Sequence, residues 1–467
     1  MKMIQKNFFF LFVLLFFAKC QETCQPFSLP PDPPEVPISE VPYVFNETYQ
    51  VIELDPSTGA KCLDGTNYKF LFTQGSGSGA NKFMFSWQGG AYCGYEGLDL
   101  LESCYSRSQG PLGSSSFLPS NGSYYSVNSA NGYFSNMQEY NPDFWNWNKV
   151  FISYCDGSNH QGHLDNALVY NGTELWFRGH DNTQGIIDYL KDNFGLFQAS
   201  EVILSGTSAG GQATYFWSHY LQSQFPSTVK LMGLPDAGMF LDGYNYVAQC
   251  NFYRERMKLL MNLTKSAETD LFNTCKYHGT ADLWKCMMAQ YIVEDINIPM
   301  FIINSQDDHE ALRTQIGITC LNVDPSTCTD LDISRIAEFR SGFLDIAHQL
   351  VANKTNWGFW LRTCLEHVYQ GSWGWYGQQK NVLNQKEYIY YSLRDALHRW
   401  YNGGNLKDNL NTQFVDVDDW QHNLYCQYHL NISISLIEIR ERPQSIITLN
   451  KANILRYKKR EPSSFVF

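Results

Sequence analysis

A serine between two glycines is the residue best suited to act as a nucleophile. Ser208 lies in Gly206-Thr-Ser-Ala-Gly210, which is a G-x-S-x-G pattern. In hydrolases that use this pattern, the serine sits on a strained turn between a strand and a helix, and its hydroxyl is exposed there. The pattern is short enough to occur by chance, so the flanking elements must decide what it means.

The flanking sequence predicts both of the required elements. Val202-Ile-Leu-Ser205 is a short apolar run, typical of a buried strand. A predicted amphipathic helix follows and ends near Pro226, and its apolar residues recur at helical spacing: Ala213, Phe216, Trp217, Tyr220 and Leu221. A strand, a turn and a helix in this order favour a nucleophile elbow and make Ser208 the candidate nucleophile.

A serine nucleophile also needs a histidine base that is oriented by a carboxylate. In hydrolases with this elbow, the acid and then the histidine follow the serine along the chain. Asp307 and Asp308 both follow a predicted strand, residues 298–304, at the kind of position where α/β active sites form. His367 is a candidate base, and chain order leaves three competitors: His309, His348 and His398.

Backbone N–H groups must hold the oxyanion that forms during acyl transfer. One of them belongs to the residue after the nucleophile, Ala209, and another usually comes from a glycine-rich turn after an early strand. Residues 83–93 supply an apolar run followed by Gly89-Gly90. This pair is therefore the candidate for the second donor, with an ordinary tight turn as the alternative.

The elements that must position these residues alternate along the chain. From about residue 145 to 325, strand-like runs alternate with helical patterns, which favours an α/β fold with a mostly parallel sheet. Residues 105–136 are rich in Ser, Gly and Asn and predict a long surface loop. The clearest elements are strands at 149–154, 202–205 and 298–304 and a helix at 183–194.

Composition limits the classes of partner. The chain has 467 residues, of which 44% are hydrophobic, enough for a full core. Its net charge of −12 argues against nucleic acid, because phosphate contacts need a basic surface. The sequence has no C-x-x-C pair and no H-E-x-x-H helix, so we expect no metal site.

The first twenty residues have the layout of a secretory signal peptide. Lys2 and Lys6 precede an apolar run at 8–18, which is too short to span a bilayer, and Ala18 and Cys20 precede the cleavage site. The twelve remaining cysteines predict disulfides. Six glycosylation sequons also fit an exported protein: Asn46, Asn121, Asn171, Asn262, Asn353 and Asn431.

Taken together, ten segments resemble the pectin acetylesterase family, which also contains the Wnt-deacylating enzyme Notum. They occur in family order over roughly residues 50–400: KCLDGTNYKF, WQGGAYC, LGSSSF, NPDFWNWN, YCDGS, LWFRG, SGTSAGG, LPDAGMFLD, FIINSQDDHE and CLEHV. The resemblance implies an α/β-hydrolase-like fold and a Ser/Asp/His esterase that needs no cofactor. It places the nucleophile on Ser208, the acid on Asp308, the base on His367 and the oxyanion turn on Gly90 and Ala91.

Three positions depart from the family pattern near the predicted site. Thr207 stands where the elbow usually has Cys, Ala91 where the turn usually has Gly or Trp, and Gln88 where an acidic residue is usual. A backbone donor tolerates an alanine. The departures therefore affect the size of the pocket beside Ser208 rather than the predicted catalysis.

We expect a secreted or secretory-lumen, monomeric, disulfide-stapled serine carboxylesterase that removes O-acetyl groups from a polysaccharide through an acyl-enzyme. Its oxyanion donors would be Gly90, Ala91 and Ala209. A Notum-like lipid-acyl esterase is the first alternative; a non-catalytic glycan-binding protein and a serine peptidase are the others. We expect no nucleic-acid partner and no stable membrane span. The predicted segments are a signal peptide (1–20), a proline-rich segment (21–44), the hydrolase domain (45–430) and a basic tail (431–467).

Overall fold

The structure is a computed structural model, and it describes residues 24–25, 48–95, 99–126, 132–322, 325–352, 354, 356–370, 375, 378–384, 387–403, 412–418, 420–421 and 426. The predicted signal peptide, nearly all of the proline-rich segment and the basic tail lie outside these residues. Within them, no helix has both the length and the apolar character needed to cross a bilayer.

The strands and the longer helices of the described residues alternate through the middle of the chain. The strands are β1 (Thr48–Glu53), β2 (Lys69–Thr73), β3 (Lys82–Trp87), β4 (Tyr124–Ser126), β5 (Asn148–Ile152), β6 (Leu168–Tyr170), β7 (Thr173–Leu175), β8 (Glu201–Thr207), β9 (Lys230–Asp236), β10 (Phe301–Ser305), β11 (Gly358–Arg362), β12 (Gln378–Asn384), β13 (Glu387–Ser392) and β14 (Gln413–Val415). The helices are α1 (Leu100–Ser108), α2 (Gly179–Phe194), α3 (Ala209–Leu221), α4 (Phe252–Thr264), α5 (Asp330–Ala352) and α6 (Leu393–Asn402).

A ten-stranded sheet in the order β14-β11-β10-β9-β8-β3-β5-β2-β1-β4 forms the centre of the fold. The strands from β14 to β5 run parallel, and β2, β1 and β4 extend the sheet antiparallel at one edge. Because parallel strands end at the same edge, the loops after β3, β8, β10 and β11 lie side by side. The predicted α/β fold with a mostly parallel sheet flanked by helices is confirmed.

Alternating side chains bury both faces of this sheet. Along β8, Val202 and Leu204 belong to the core on the side of α2, α3 and α5, while Ile203 belongs to the core on the side of α6. A strand buried on both faces reads as a continuous apolar run. This explains why residues 202–205 could be identified as a strand without a period-two pattern.

Two predicted elements differ from the structure. The helix after the serine, α3, was expected to be amphipathic, but all of its side chains are buried. The segment between β9 and β10 covers its outer side, where Tyr253 Oη and the backbone carbonyl of Met287 both hydrogen-bond Gln212. The predicted surface loop at 105–136 is also partly wrong, because α1 continues to Ser108 and residues 124–126 form the edge strand β4.

Six disulfides confirm the reading of the cysteines. The pairs are Cys24–Cys250, Cys62–Cys155, Cys93–Cys104, Cys275–Cys286, Cys320–Cys328 and Cys364–Cys426. The first of them closes 226 residues, and such long loops lose much conformational entropy in the unfolded chain when they are bridged. The bridge from Cys364 fixes the segment that leads to His367.

Candidate active site

Ser208 occupies the sharp turn between β8 and α3. Its φ of 55° and ψ of −120° are unusual for a residue with a side chain, and its N–H donates to the carbonyl oxygen of Asp236 at 2.9 Å. The flanking glycines are required by space, because a Cβ on Gly210 would overlap the carbonyl oxygen of Trp87, and one on Gly206 would overlap that of Gly210. The G-x-S-x-G pattern therefore forms the predicted elbow.

Three of the predicted site residues form a hydrogen-bonded chain. His367 Nε2 lies 2.7 Å from Ser208 Oγ, and His367 Nδ1 lies 2.8 Å from Asp308 Oδ2. Asp308 follows β10 and His367 follows β11, the next strand in the sheet. Asp308 Oδ1 also accepts hydrogen bonds from the N–H groups of Glu310 and Ala311, which fix its carboxylate.

The competing acid and bases lie in other environments. Asp307 is buried and faces Arg340 of α5, with Oδ2 3.6 Å from Nη1. His309 donates from Nδ1 to the carbonyl oxygen of Leu365 at 2.6 Å. His348 packs edge-on against Phe359, and His398 pairs with Asp143 near the surface. Of these candidates, only Asp308 is hydrogen-bonded to His367 in the described structure.

Charges around His367 favour its protonated form. Burial lowers the pKa of His367, but the charge and hydrogen bond of Asp308, together with the charge of Glu310, leave the pKa above its usual value. Glu310 is itself ionised, because His309 and Arg313 hold the pKa of its carboxyl far below the usual range against the opposing effect of burial. The Glu310 carboxylate therefore stabilises the imidazolium of His367, whereas the positive charge of His309 acts against it.

The predicted oxyanion loop follows β3. Gly90 has a φ of 135° and Ala91 has a φ of 55°, so the chain turns sharply beside the elbow. The N–H groups of Gly90, Ala91 and Ala209 donate no hydrogen bond to any other described residue. Gly89 must be a glycine, since a Cβ there would lie 2.9 Å from Ser208 Cβ.

Sequence reasoning missed the groups that hold this loop. Arg107 Nη2 donates to the carbonyl oxygen of Gly90 at 2.5 Å, and Gln88 Oε1 accepts from the N–H of Tyr154. His160 Nε2 donates to the carbonyl oxygen of Gln88 at 2.9 Å. Arg107 falls in the segment predicted as a surface loop, and no local pattern links Arg107, Tyr154 or His160 to residues 88–91.

Buried aromatic rings line the side of the site next to His367. Phe240 lies with its ring 6.1 Å from the imidazole and stacks on Tyr253 at 5.3 Å. Tyr92 packs edge-on against both Tyr253 and Tyr95, and Tyr95 donates to Glu310. We call these four rings, Phe240, Tyr253, Tyr92 and Tyr95, the aromatic wall; each is more than nine-tenths buried.

One cluster among the described residues has the spacing of a metal site. It consists of His163, His180 and Asp181. The carboxylate of Asp181 already pairs with Arg178 Nε at 3.0 Å and with His163 Nδ1 at 2.9 Å. A cation there would compete with the arginine, so we assign this cluster no metal.

Comparison with known proteins places the chain in a family. A model of the family described as pectinacetylesterase matches residues 44–427. Pectin acetylesterase 4 of Arabidopsis thaliana is 28% identical over 357 residues, which cover 73% of this chain and 80% of that protein. Pectin acetylesterase 5 of the same plant is 30% identical over 321 residues, which cover 66% and 70%.

A more distant group of relatives carries a different name. The palmitoleoyl-protein carboxylesterase NOTUM of Schmidtea mediterranea is 27% identical over 286 residues, which cover 58% of this chain and 51% of that protein. Both groups are carboxylic ester hydrolases by name. The family match extends over most of the chain, and it confirms the resemblance read from the ten sequence segments. The chain belongs to the pectinacetylesterase family and is a carboxylic ester hydrolase.

Proposed function

We propose that this protein is a secreted serine esterase that removes O-acetyl groups from a polysaccharide. The observation that carries the proposal is the hydrogen-bonded chain from Ser208 through His367 to Asp308 at the carboxyl edge of the sheet. Nucleophile, base and orienting acid in this geometry suit acyl transfer. Two relatives that cover 73% and 66% of this chain are named pectin acetylesterases.

The reaction has two steps. His367 takes the proton of Ser208 Oγ while that oxygen attacks the ester carbonyl, and the imidazolium then protonates the leaving alcohol. Asp308 holds the imidazole so that Nε2 faces the serine and stabilises its charged form. Water then attacks the acyl carbonyl as His367 takes its proton; the bond to Ser208 Oγ breaks, the imidazolium returns the proton to Oγ, and the carboxylic acid leaves. The N–H groups of Gly90, Ala91 and Ala209 hold the oxyanion in both steps.

The aromatic wall favours a short acyl group. Phe240 lies beside His367, and Tyr253, Tyr92 and Tyr95 pack behind it. We infer that a long acyl chain would meet these rings rather than an open apolar pocket. Each methylene buried in an open apolar pocket would contribute about 0.8 kcal/mol to binding, and a filled pocket withholds that gain. An acetyl group needs no such pocket.

We expect the rate to fall steeply with acyl length. For the purified protein, kcat/KM for p-nitrophenyl acetate should exceed that for p-nitrophenyl octanoate by about 100-fold, since six methylenes find no pocket. Acetate release from an O-acetylated polysaccharide tests the natural substrate class. The Phe240→Ala variant should raise the octanoate-to-acetate ratio.

Phe225→Ala is the matched control for loss of a buried ring. Phe225 lies beyond the far end of α3, about 20 Å along the helix from Ser208, and packs on Phe197. Its replacement should leave the acyl-length ratio unchanged. Faster hydrolysis of octanoate than of acetate by the wild-type protein would instead support a NOTUM-like lipid-acyl esterase, the alternative that the second group of relatives favours.

The pH dependence should reflect the raised pKa of His367. Only the neutral imidazole can accept the serine proton, so activity is absent at low pH and appears as pH rises through this pKa. Because the pKa lies above its usual value, we expect the midpoint of kcat/KM above about 6.5. A pH profile with p-nitrophenyl acetate checks this, and a midpoint near 5 would contradict it.

Export of the chain is part of the proposal. Six disulfides are typical of an oxidising compartment. The sequon asparagines that the structure describes, Asn121, Asn171 and Asn262, are all exposed. Both observations support the secretory signal predicted at residues 1–20.

A further inference from the structure

Asp236 is a buried residue that is hydrogen-bonded both to Ser208 and to the loop that carries His367. It is the last residue of β9, which lies between β8 and β10 in the sheet. Its carbonyl oxygen accepts the N–H of Ser208 at 2.9 Å. The next residue, Ala237, has a φ of 51° and donates its N–H to the carbonyl oxygen of Ile303. The chain is therefore held tightly on both sides of Asp236.

The side chain of Asp236 reaches the loop that carries His367. Both carboxylate oxygens lie 3.1 Å from the backbone nitrogen of Tyr369, whose N–H they accept. Tyr133 Oη donates to Oδ2 at 3.4 Å. Tyr369 is two residues beyond His367, so the loop is fixed by β11 before the base and by Asp236 after it.

The carboxyl group is fully buried, which is costly for a charge without compensation. Burial raises the pKa of Asp236 to about 7, while the N–H groups of Tyr369 and Gln370, the charge of His367 and the hydrogen bond from Tyr133 act in the opposite direction. The charge of His367 therefore favours the ionised form of Asp236, and because the interaction is reciprocal the carboxylate also favours the imidazolium, although Asp308 and Glu310 have the larger effects on the pKa of His367. An uncharged hydrogen-bond acceptor at position 236 would still hold the loop that carries His367, but it would not stabilise the positive charge of the imidazolium.

We propose that Asp236 is a positioning residue that sets the distance between Ser208 and His367 and supports the imidazolium electrostatically. Its backbone carbonyl fixes the elbow, and its carboxylate fixes the far end of the loop that carries His367. This inference rests on the proposed serine mechanism. It goes beyond that mechanism because Asp236 contacts neither the reacting atoms nor His367 Nδ1, which is hydrogen-bonded to Asp308.

Two substitutions separate the positioning effect from the electrostatic one. Asp236→Ala removes the acceptor for the Tyr369 N–H, and a displaced base should lower kcat about 100-fold with little change in KM. Asp236→Asn keeps an oxygen acceptor but removes the charge. It should keep most of kcat and move the acid limb of the pH profile to lower pH by about half a unit, since the imidazolium loses a favourable neighbour.

Asp416→Asn is the matched control. Asp416 follows β14 at the same edge of the sheet, is buried, and accepts hydrogen bonds from the N–H groups of Lys380 and Asp418. Its replacement also removes a buried carboxylate but should leave the acid limb where it is. If the role of Asp236 were merely structural, Asp236→Asn and Asp416→Asn would both lower the stability of the protein, and neither would move the acid limb of the pH profile.

The outcomes distinguish this inference from the proposed function. If the wild-type protein hydrolyses p-nitrophenyl acetate and Ser208→Ala does not, the serine mechanism is established. With that established, an Asp236→Asn acid limb that coincides with the wild-type limb overturns the role of Asp236, as does an Asp236→Ala rate equal to wild type. If Asp236→Ala does not fold, the limb of Asp236→Asn decides alone.

Discussion

Replacing Ser208 with alanine should abolish ester hydrolysis while leaving the protein folded. We expect kcat for p-nitrophenyl acetate to fall by roughly a million-fold, because the base and the oxyanion donors have no nucleophile to act with. Alanine fits the turn as well as serine does, since both carry a Cβ at the φ of 55°. A fluorophosphonate probe should label the wild-type protein at Ser208 and should not label the variant.

Ser205→Ala is the control for this change. Ser205 lies on β8, three residues before Ser208, and its buried hydroxyl donates to the carbonyl oxygen of Phe85. Its removal should cost about 1 kcal/mol of stability and leave the rate near wild type. A wild-type protein that neither turns over the ester nor reacts with the probe would favour the non-catalytic glycan-binding alternative.

The elbow could be predicted because its determinants are local. Residues 202–210 contain the strand, the turn and the glycines that the close contacts with Trp87 require. The parallel sheet could be predicted for a similar reason, since its strands are short apolar runs separated by helical patterns. Strand ends differ by only a few residues, as for β10, which begins at Phe301 rather than at residue 298.

The hydrogen-bonding partners of Ser208 in the proposed site could not be chosen on local grounds. Asp307 and Asp308 are adjacent in sequence, and only the turn after β10 decides which carboxylate faces His367. The support of the oxyanion loop by Arg107 and of the base loop by Asp236 joins residues that are 17 and 133 positions apart. Such contacts depend on strand order, which spacing does not encode. The family resemblance suggested Asp308 and His367, which the residues alone left open, but it suggested neither Arg107 nor Asp236.

Backbone strain is found where these long-range contacts meet. Three non-glycine residues with positive φ, Ala91, Ser208 and Ala237, follow the ends of β3, β8 and β9, which are neighbours in the sheet. Each such conformation costs on the order of 1–3 kcal/mol and persists only where the surroundings impose it. The buried sheet and the hydrogen bonds of Asp236 provide that constraint. The strain therefore holds the loop after β3, Ser208 and the loop after β9 in a fixed relation to one another.

Asp308→Asn should lower kcat by about 10,000-fold, the second largest effect that we expect. An amide can present its NH₂ group to His367 Nδ1, which favours the tautomer with the proton on Nε2, and that tautomer cannot accept the serine proton. The amide also cannot stabilise the imidazolium by charge. The fold should persist, because asparagine is as good a helix N-cap as aspartate for the turn at Glu310 and Ala311.

The adjacent carboxylate gives an unusually close control. Asp307→Asn removes a charge one residue away that faces Arg340 rather than His367, so it should reduce the free energy of unfolding and leave kcat within a few-fold of wild type. For both variants, kcat is measured by steady-state kinetics and the free energy of unfolding by denaturant titration. A larger loss of kcat in Asp307→Asn than in Asp308→Asn would mean that the acid has been assigned to the wrong residue. A much larger loss of kcat in Asp308→Asn would establish that the turn after β10 selects Asp308 by its orientation, since the two residues are of the same type and are adjacent in the chain.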